Sequence, residues 1–418
     1  MSVIELVAEY GSPLWLADAD RVRSRLAGLR SAWAAAWPDV DVAYSYKTNR
    51  LGAFLRAVHA DGAAAEVVTA AEYALARDLV GVPGTEIIVN GPAKPAELLA
   101  RAGADDALVI LDSVDEVERA AASGVERVGL RVAMPGFGGS TRFGIPPAGV
   151  VPAGRLAASL GLTVEALSVH LVSTDFTAPL SSERSLAQSV AVQWPRSPAA
   201  HAEAARALAR LAEELAAAGM PVGALDLGGG LPPAPADAEH AAAVAGALRA
   251  GSFAGRVVLE PGRALVTDAV DLACTVMATK LLPDGRRCAV VDAGTNLLPG
   301  ALWAWPRIEA AGGAAPTAPA AAGRWLVSGP LCLNVDVLHP ASDLGDVRAG
   351  DVLVVRDVGA YQQAHSTQFG EPRPAVVARE GGTWRLARRR EELADLIAGE
   401  LEPPVTLVHQ KEDQPWSA

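Results

Sequence analysis

The sequence predicts an α/β protein in two parts, a (β/α)8 barrel followed by a β domain. Two observations carry this. Between about residues 20 and 265, eight short runs rich in β-formers alternate with stretches of helical charge spacing, and eight βα units in roughly 240 residues fit a closed barrel. After residue 263 the texture changes to β-rich runs punctuated by Gly and Pro without long helices, which reads as antiparallel sheet. A doubly wound open sheet is the alternative arrangement of the first part. The boundaries drawn are 20–265 for the barrel and 266–418 for the β domain, with an opening strand from residues 1–19 (PLWLA, 13–17) added to the latter.

In order, the barrel runs are 41–47 (DVAYSYK), 63–69 (AAAEVVT), 86–91 (EIIVNG), 107–112 (ALVILD), 127–134 (RVGLRVAM), 167–173 (LSVHLVS), 224–230 (ALDLGGG) and 257–263 (VVLEPGR). The β domain offers runs at 264–280, 287–292, 324–327 and 351–355. The low-complexity piece 310–323 can bury little apolar surface and reads as a surface loop.

Half of the 418 residues are hydrophobic, enough for a large core, and the net charge of -12 argues against nucleic-acid or acidic-membrane partners, which need a basic face. Cys274, Cys288 and Cys332 are odd in number and far apart, so neither a disulfide framework nor a zinc cluster follows, and a reducing cytoplasm is the expected location. The N-terminus carries acids early and no basic-then-apolar stretch, so no signal peptide is expected. No membrane span is expected either, since no run of about eighteen apolar residues is free of charges or Gly/Pro breaks.

Barrel enzymes place their chemistry at the C-terminal ends of the strands. The first run ends in Lys47, and its alternation puts Ala43, Ser45 and Lys47 on one face. An ammonium confined in a barrel mouth is costly unless paired or chemically changed, as by an aldehyde cofactor; the plainer reading is a lysine reaching out to solvent. Gly228, Gly229 and Gly230 end the seventh run, where bare amides could approach a phosphate or simply make a turn. Glu260, Gly262 and Arg263 end the eighth, offering a carboxylate and a guanidinium or a surface ion pair. His170, on the sixth, is a ring partner or a core histidine. In the β domain, Cys332 with Asp336 and the strand-end Tyr361 have packing as their plain alternative. The shared location of these groups is the argument, because a phosphorylated aromatic aldehyde needs all of them.

The order of motifs resembles the fold-type-III pyridoxal-phosphate (PLP) decarboxylases, the family of diaminopimelate and ornithine decarboxylases. YSYKTN resembles the cofactor-lysine strand, HLVS the histidine-and-serine strand, LDLGGG the phosphate loop and LEPGR the pyridine-contacting strand. GPLC, VGAY, NGPAK, RFGI (142–145) and PRP (372–374) match further landmarks, over about residues 10–395. The resemblance implies an alanine-racemase-like barrel with PLP as a Schiff base on Lys47 and His170 stacked on the ring. It implies that Ser173, Gly228–Gly230, Gly262, Arg263 and Tyr361 hold the phosphate, with Glu66 near the lysine where the family usually has Asp, and Arg131 near the cofactor oxygen. Glu260 pairs with the pyridine nitrogen, deepening the electron sink that decarboxylation needs; racemases on this barrel use an arginine there. Cys332 is the proton donor reaching in from a second subunit, which implies a homodimer with shared active sites.

The substrate pocket departs from the family. Leu333 stands where diaminopimelate and ornithine decarboxylases carry an acid, and residues 295–303 (TNLLPGALW) lack the usual distal charge partner. Leu333, Asp336 and Trp303 are the pocket residues expected, and the substrate expected is an amino acid or derivative with an uncharged distal end, carrier-protein-bound or siderophore-linked, in a specialised-metabolism branch. Diaminopimelate decarboxylation, racemisation and a non-catalytic PLP-binding role are the rivals; Glu260 speaks against the second, and retention of Lys47 and Cys332 against the third. The insertion-like stretch 175–200 follows the sixth strand on the catalytic face and could cover the entrance.

Overall fold

The computed structural model describes residues 1–134, 142–171, 174–176, 190–192, 196–302, 304–312 and 324–399. After strand β1 (Leu14–Asp18) come β2 (Val40–Ser45), β3 (Ala64–Val67), β4 (Ile87–Val89), β5 (Leu108–Leu111), β6 (Arg127–Arg131) and β7 (Thr163–Ser168). A small antiparallel pair, β8 (Thr174–Phe176) with β9 (Val190–Val192), precedes β10 (Ala224–Asp226) and β11 (Arg256–Leu259). Strands β10-β11-β2-β3-β4-β5-β6-β7 close into a parallel barrel. All eight runs read from the sequence contribute a strand, but the strands stop short of the run ends. Lys47, His170, the three glycines and Arg263 therefore sit in the turns that follow. The sixth run is displaced most: its strand begins at Thr163 and ends at Ser168.

Period-two alternation organises the barrel interior. Ala43, Ile88, Ile110 and Val258 form an apolar plug, with Ala64, Leu108 and Ala224 packed against it. Two residues on, every strand turns polar: Ser45, Glu66, Asn90, Asp112, Arg131, Ser168, Asp226 and Glu260 ring the C-terminal mouth. Outward-facing Val42, Tyr44, Tyr46, Val67, Val89 and Leu130 belong to the main core under the helices.

The second sheet is β16-β15-β13-β12-β1-β18-β19, with β17 paired to β12 and β14. Its strands are β12 (Val270–Leu281), β13 (Arg287–Val291), β14 (Ile308–Ala310), β15 (Trp325–Ser328), β16 (Val337–Ser342), β17 (Val352–Val355), β18 (Ala375–Glu380) and β19 (Thr383–Arg388). The sheet is mixed, a correction to the antiparallel expectation. Strand β1 runs parallel to β18 (Leu14 opposite Ala375) and antiparallel to β12, and β13 runs parallel to β15. The reason is that β1 and β18 come from opposite ends of the chain and β13 and β15 are separated by a long excursion, so no short hairpin dictates their direction. Residues Arg263–Val266 and Thr267–Ala269 are helical turns, so the first β-domain run starts as a strand only at Val270. A helix at Val3–Tyr10, opened by a Ser2/Glu5 capping box, was not anticipated. Among the described residues no helix is long and apolar enough to cross a membrane.

The sheet is tied to the barrel mouth next to Lys47. Tyr361 N donates to Thr48 O at 2.8 Å, and Asn49 Nδ2 donates to Gly359 O at 2.9 Å. These bonds carry the loop before Tyr361 over the barrel.

Candidate active site

A cavity of about 460 Å³ opens at the barrel mouth, lined by Lys47, Glu66, Asn90, Arg131, Ser168, His170, Glu260, Arg263, Tyr361 and His365 among others. Lys47 Nζ lies 2.9 and 2.8 Å from the two oxygens of Glu66, which is fully buried and also accepts from Ser45 Oγ at 2.6 Å. Burial alone would pull the lysine pKa down; Glu66 and Glu260 outweigh it and lift the value above the ordinary one. Burial pushes Glu66 the other way, but Lys47, Ser45 and Asn90 hold its carboxyl below the usual range.

Across the mouth stand two more buried acids. Glu260 is pushed well above the usual carboxylate range by burial, then by the charges of Asp226 and Glu66. Asp226 is pushed up to about 6, chiefly by burial, although it accepts from Gly228 N at 2.8 Å and Ser168 Oγ at 3.2 Å. Burial, with Lys47 and Arg131 nearby, pulls His170 down to about 3, so its ring is neutral. Its Nδ1 accepts from Gly229 N at 3.3 Å, and its 4.0 Å approach to Glu260 is not an ion pair.

Beside the cavity is a smaller niche walled by Thr48, Gly229, Gly230, Gly262, Arg263 and Tyr361. Backbone approaches here are too close for side chains. A Cβ on Gly228, whose φ is +64°, would stand 2.6 Å from Val169 O, and one on Gly262 would stand 2.0 Å from Thr48 Oγ1. Tyr361 holds a φ of +66°, uncommon for a bulky residue, and its ring lies under the Arg263 guanidinium at 4.8 Å. Thr48 Oγ1 is buried against the niche with no hydrogen-bond partner among the described residues.

Arg131 is aimed by a network behind the wall. Its Nη1 donates to Asp112 Oδ1 at 3.2 Å, while Glu116 accepts from Asp112 N at 2.8 Å, Lys94 N at 3.2 Å and Lys94 Nζ at 2.9 Å. Lys94 and Glu116 are almost wholly inaccessible, at 1% each. Removing one member of such a pair leaves a buried charge uncompensated. Glu116→Ala is accordingly expected to lower unfolding stability by about 3–5 kcal/mol in urea titration; a loss under about 1 kcal/mol would show that the pair is not a structural clamp.

The structure thus gathers Lys47, Glu66, Arg131, His170, Gly228, Gly229, Gly230, Glu260, Gly262, Arg263 and Tyr361 around one mouth. Ser173 and Trp303 lie outside the described residues, as does most of the 175–200 stretch. Cys332 and Leu333 are exposed on the β domain and do not line the cavity of their own chain. Asp336 does not line that cavity either: it is buried and anchors its loop, accepting from Thr295 N, Thr295 Oγ1 and Leu331 N at 2.7, 3.1 and 2.8 Å. Sequence reasoning missed Asp112, Ser168 and His365, and took Thr48, Asn90 and Asp226 only as parts of motifs.

A family model described as "Pyridoxal-dependent decarboxylase, C-terminal sheet domain" matches residues 15–359. The chain belongs to the pyridoxal-dependent decarboxylase family. It is 30% identical to a diaminopimelate decarboxylase of Deinococcus radiodurans, covering 94% of this chain and 96% of that one. It is 32% identical to one of Actinosynnema pretiosum subsp. auranticum, covering 95% and 90%. Among solved structures, the diaminopimelate decarboxylase of M. jannaschii superposes with a TM-score of 0.84 at 25% identity, covering 96% and 95%. A lysine/ornithine decarboxylase from Vibrio vulnificus complexed with putrescine gives 0.75 at 25%, covering 91% and 98%. The chain is therefore a PLP-dependent carboxy-lyase acting on an amino acid.

The residues present fit PLP. A phosphate needs donors at close range, which the niche supplies through bare glycine backbone, Arg263 and the unpartnered Thr48 hydroxyl. The cofactor's aldehyde needs an amine, and Lys47 lines the cavity.

Proposed function

We propose that this decarboxylase carries PLP on Lys47 and removes the α-carboxylate of an amino acid bound in the 460 Å³ cavity. Bound PLP supplies an electron sink for the pair left behind when CO2 departs. The chain supplies the rest. Glu66 holds the Lys47 ammonium in place, neutral His170 offers a flat face, and Arg131 is fixed by Asp112. The observation that carries the reading is the place of Glu260: a buried acid in the wall of the cavity that Lys47 also lines. Glu260 would hold the pyridine nitrogen of a bound cofactor, and a carboxylate there would favour the protonated ring that decarboxylation, rather than racemisation, draws on. Cys332 is exposed and outside its own chain's cavity, which fits a donor acting across a homodimer.

For the substrate, the curated relatives support diaminopimelate better than a specialised-metabolism substrate. A second reading rests on Leu333, an apolar side chain 40% exposed at the position where the resemblance puts an acid for a distal ammonium. On that reading the distal end is uncharged, as in an amide or carrier-bound thioester. Steady-state kinetics on diaminopimelate, lysine, ornithine and amide or carrier-protein derivatives, with CO2 release as readout, separates the two. Efficient turnover of diaminopimelate supports the first reading, and at least a tenfold preference for derivatives supports the second. If the second holds, Leu333→Glu is expected to raise kcat/KM for a free diamino acid about 10- to 100-fold by giving its ammonium a charged partner. No release of CO2 from any amino acid would overturn both.

A further inference from the structure

We propose that Asn90 is a positioning residue that supports the carboxylate form of Glu260, and that it joins Glu260 to the Lys47–Glu66 pair as one frame. The three buried acids of the mouth are not equally supported. Glu66 accepts from Ser45 and twice from Lys47. Asp226 accepts from Gly228 N and Ser168. Among the described contacts, the hydrogen-bond donor that Glu260 has besides a shared proton with Asp226 is Asn90 Nδ2, at 2.6 Å. Sharing a proton with another acid does nothing to stabilise a second negative charge. An amide donor does.

The same Nδ2 donates to Glu66 Oε1 at 3.1 Å, so the two amide hydrogens span the two carboxylates. The amide orientation is forced, because exchanging its oxygen and nitrogen would turn a carbonyl toward two acids. Its place is forced too. Asn90 follows β4, two residues beyond the plug residue Ile88, with its backbone N–H bonded to Val67 O at 2.8 Å, and it is 6% exposed. It lines the cavity beside Lys47 and Glu260. Glu260 carries no charge of use to a pyridine nitrogen unless something offsets its burial and its two acidic neighbours, and Asn90 is placed to do so.

This inference rests on the reading of Lys47 as cofactor carrier, and its test separates the two. The holoprotein is reconstituted with PLP alone, without substrate, and its visible absorbance is recorded against pH for wild type, Asn90→Leu and Asn90→Gln. Leucine keeps the bulk and removes the donor; glutamine keeps a donor. In Asn90→Leu the pH at which the visible band gives way is expected to fall by about one unit, since a protonated cofactor nitrogen beside a neutralised acid loses its proton more readily. Its kcat is expected to fall about 10- to 100-fold with KM changed less than about threefold, and Asn90→Gln is expected to move the band midpoint back toward wild type. If Asn90→Leu does not fold, Asn90→Ala makes the same donor-free comparison. A donor-free variant whose band follows the wild-type pH profile, whatever its rate, would show Asn90 to be a space-filler and overturn the proposal. Absence of any visible band in wild type would instead overturn the Lys47 reading, before any variant is compared.

Discussion

Lys47→Ala is expected to abolish both the visible absorbance of the PLP-loaded protein and its turnover, while the barrel still folds. The chain contains four lysines. Lys94 is locked against Glu116, Lys280 is exposed on the β domain, and Lys411 lies outside the described residues. Lys47 is the one that lines the cavity. An enzyme that loses the group it reacts through keeps only its binding contribution, so a rate loss on the order of 10⁴ or more is expected. The fold should survive, because Glu66 keeps Ser45 and Asn90 as donors and can take a proton once its ammonium is gone. Circular dichroism and thermal melting check the fold, and borohydride treatment checks the chemistry. A reducible PLP adduct in the Lys47→Ala protein would contradict the assignment.

Glu260→Gln is expected to cut decarboxylation by about 10²–10³ while changing PLP affinity little. Glutamine can still accept from Asn90, and the phosphate niche does not depend on the charge. What is lost is the acid facing the cofactor ring. Stability should move the other way. Burial and the neighbouring acids raise the Glu260 pKa in the folded state, so the neutral acid is tolerated and the carboxylate penalised. A group of this kind contributes stability at low pH that is lost as pH rises through its raised value. The glutamine apoprotein is therefore expected to gain in Tm relative to wild type as the pH rises above the ordinary carboxylate range. Loss of PLP affinity as large as the loss of rate would make Glu260 a structural residue instead.

Much of this site was legible because chemistry in a barrel follows strand ends. The run 41–47 places Ala43, Ser45 and Lys47 on one face, and Ala43 indeed packs in the plug while Ser45 and Lys47 meet on Glu66. The same offset of two, applied to all eight strands, would have found Asn90, Asp112, Ser168 and Asp226 from Ile88, Ile110, Ala166 and Ala224. They were not singled out because one amide, serine or carboxylate at a strand end carries no chemical signature alone; its role comes from the neighbour across the barrel. The β domain was harder to read. Strand β18 pairs with β1 from the far end of the chain, and β14 is three residues long, so neither direction nor existence follows from local pattern. His365 joins the site because Tyr361 docks on the Lys47 turn, a long-range contact.

The most direct test of the account is where PLP attaches. Borohydride reduction of the loaded wild-type protein, followed by proteolysis and mass spectrometry, reads the modified residue among the four lysines. Modification of the peptide containing Lys47, with Lys94, Lys280 and Lys411 left bare, is the expected result. A label on any of those three with Lys47 unmodified would contradict the account at its centre.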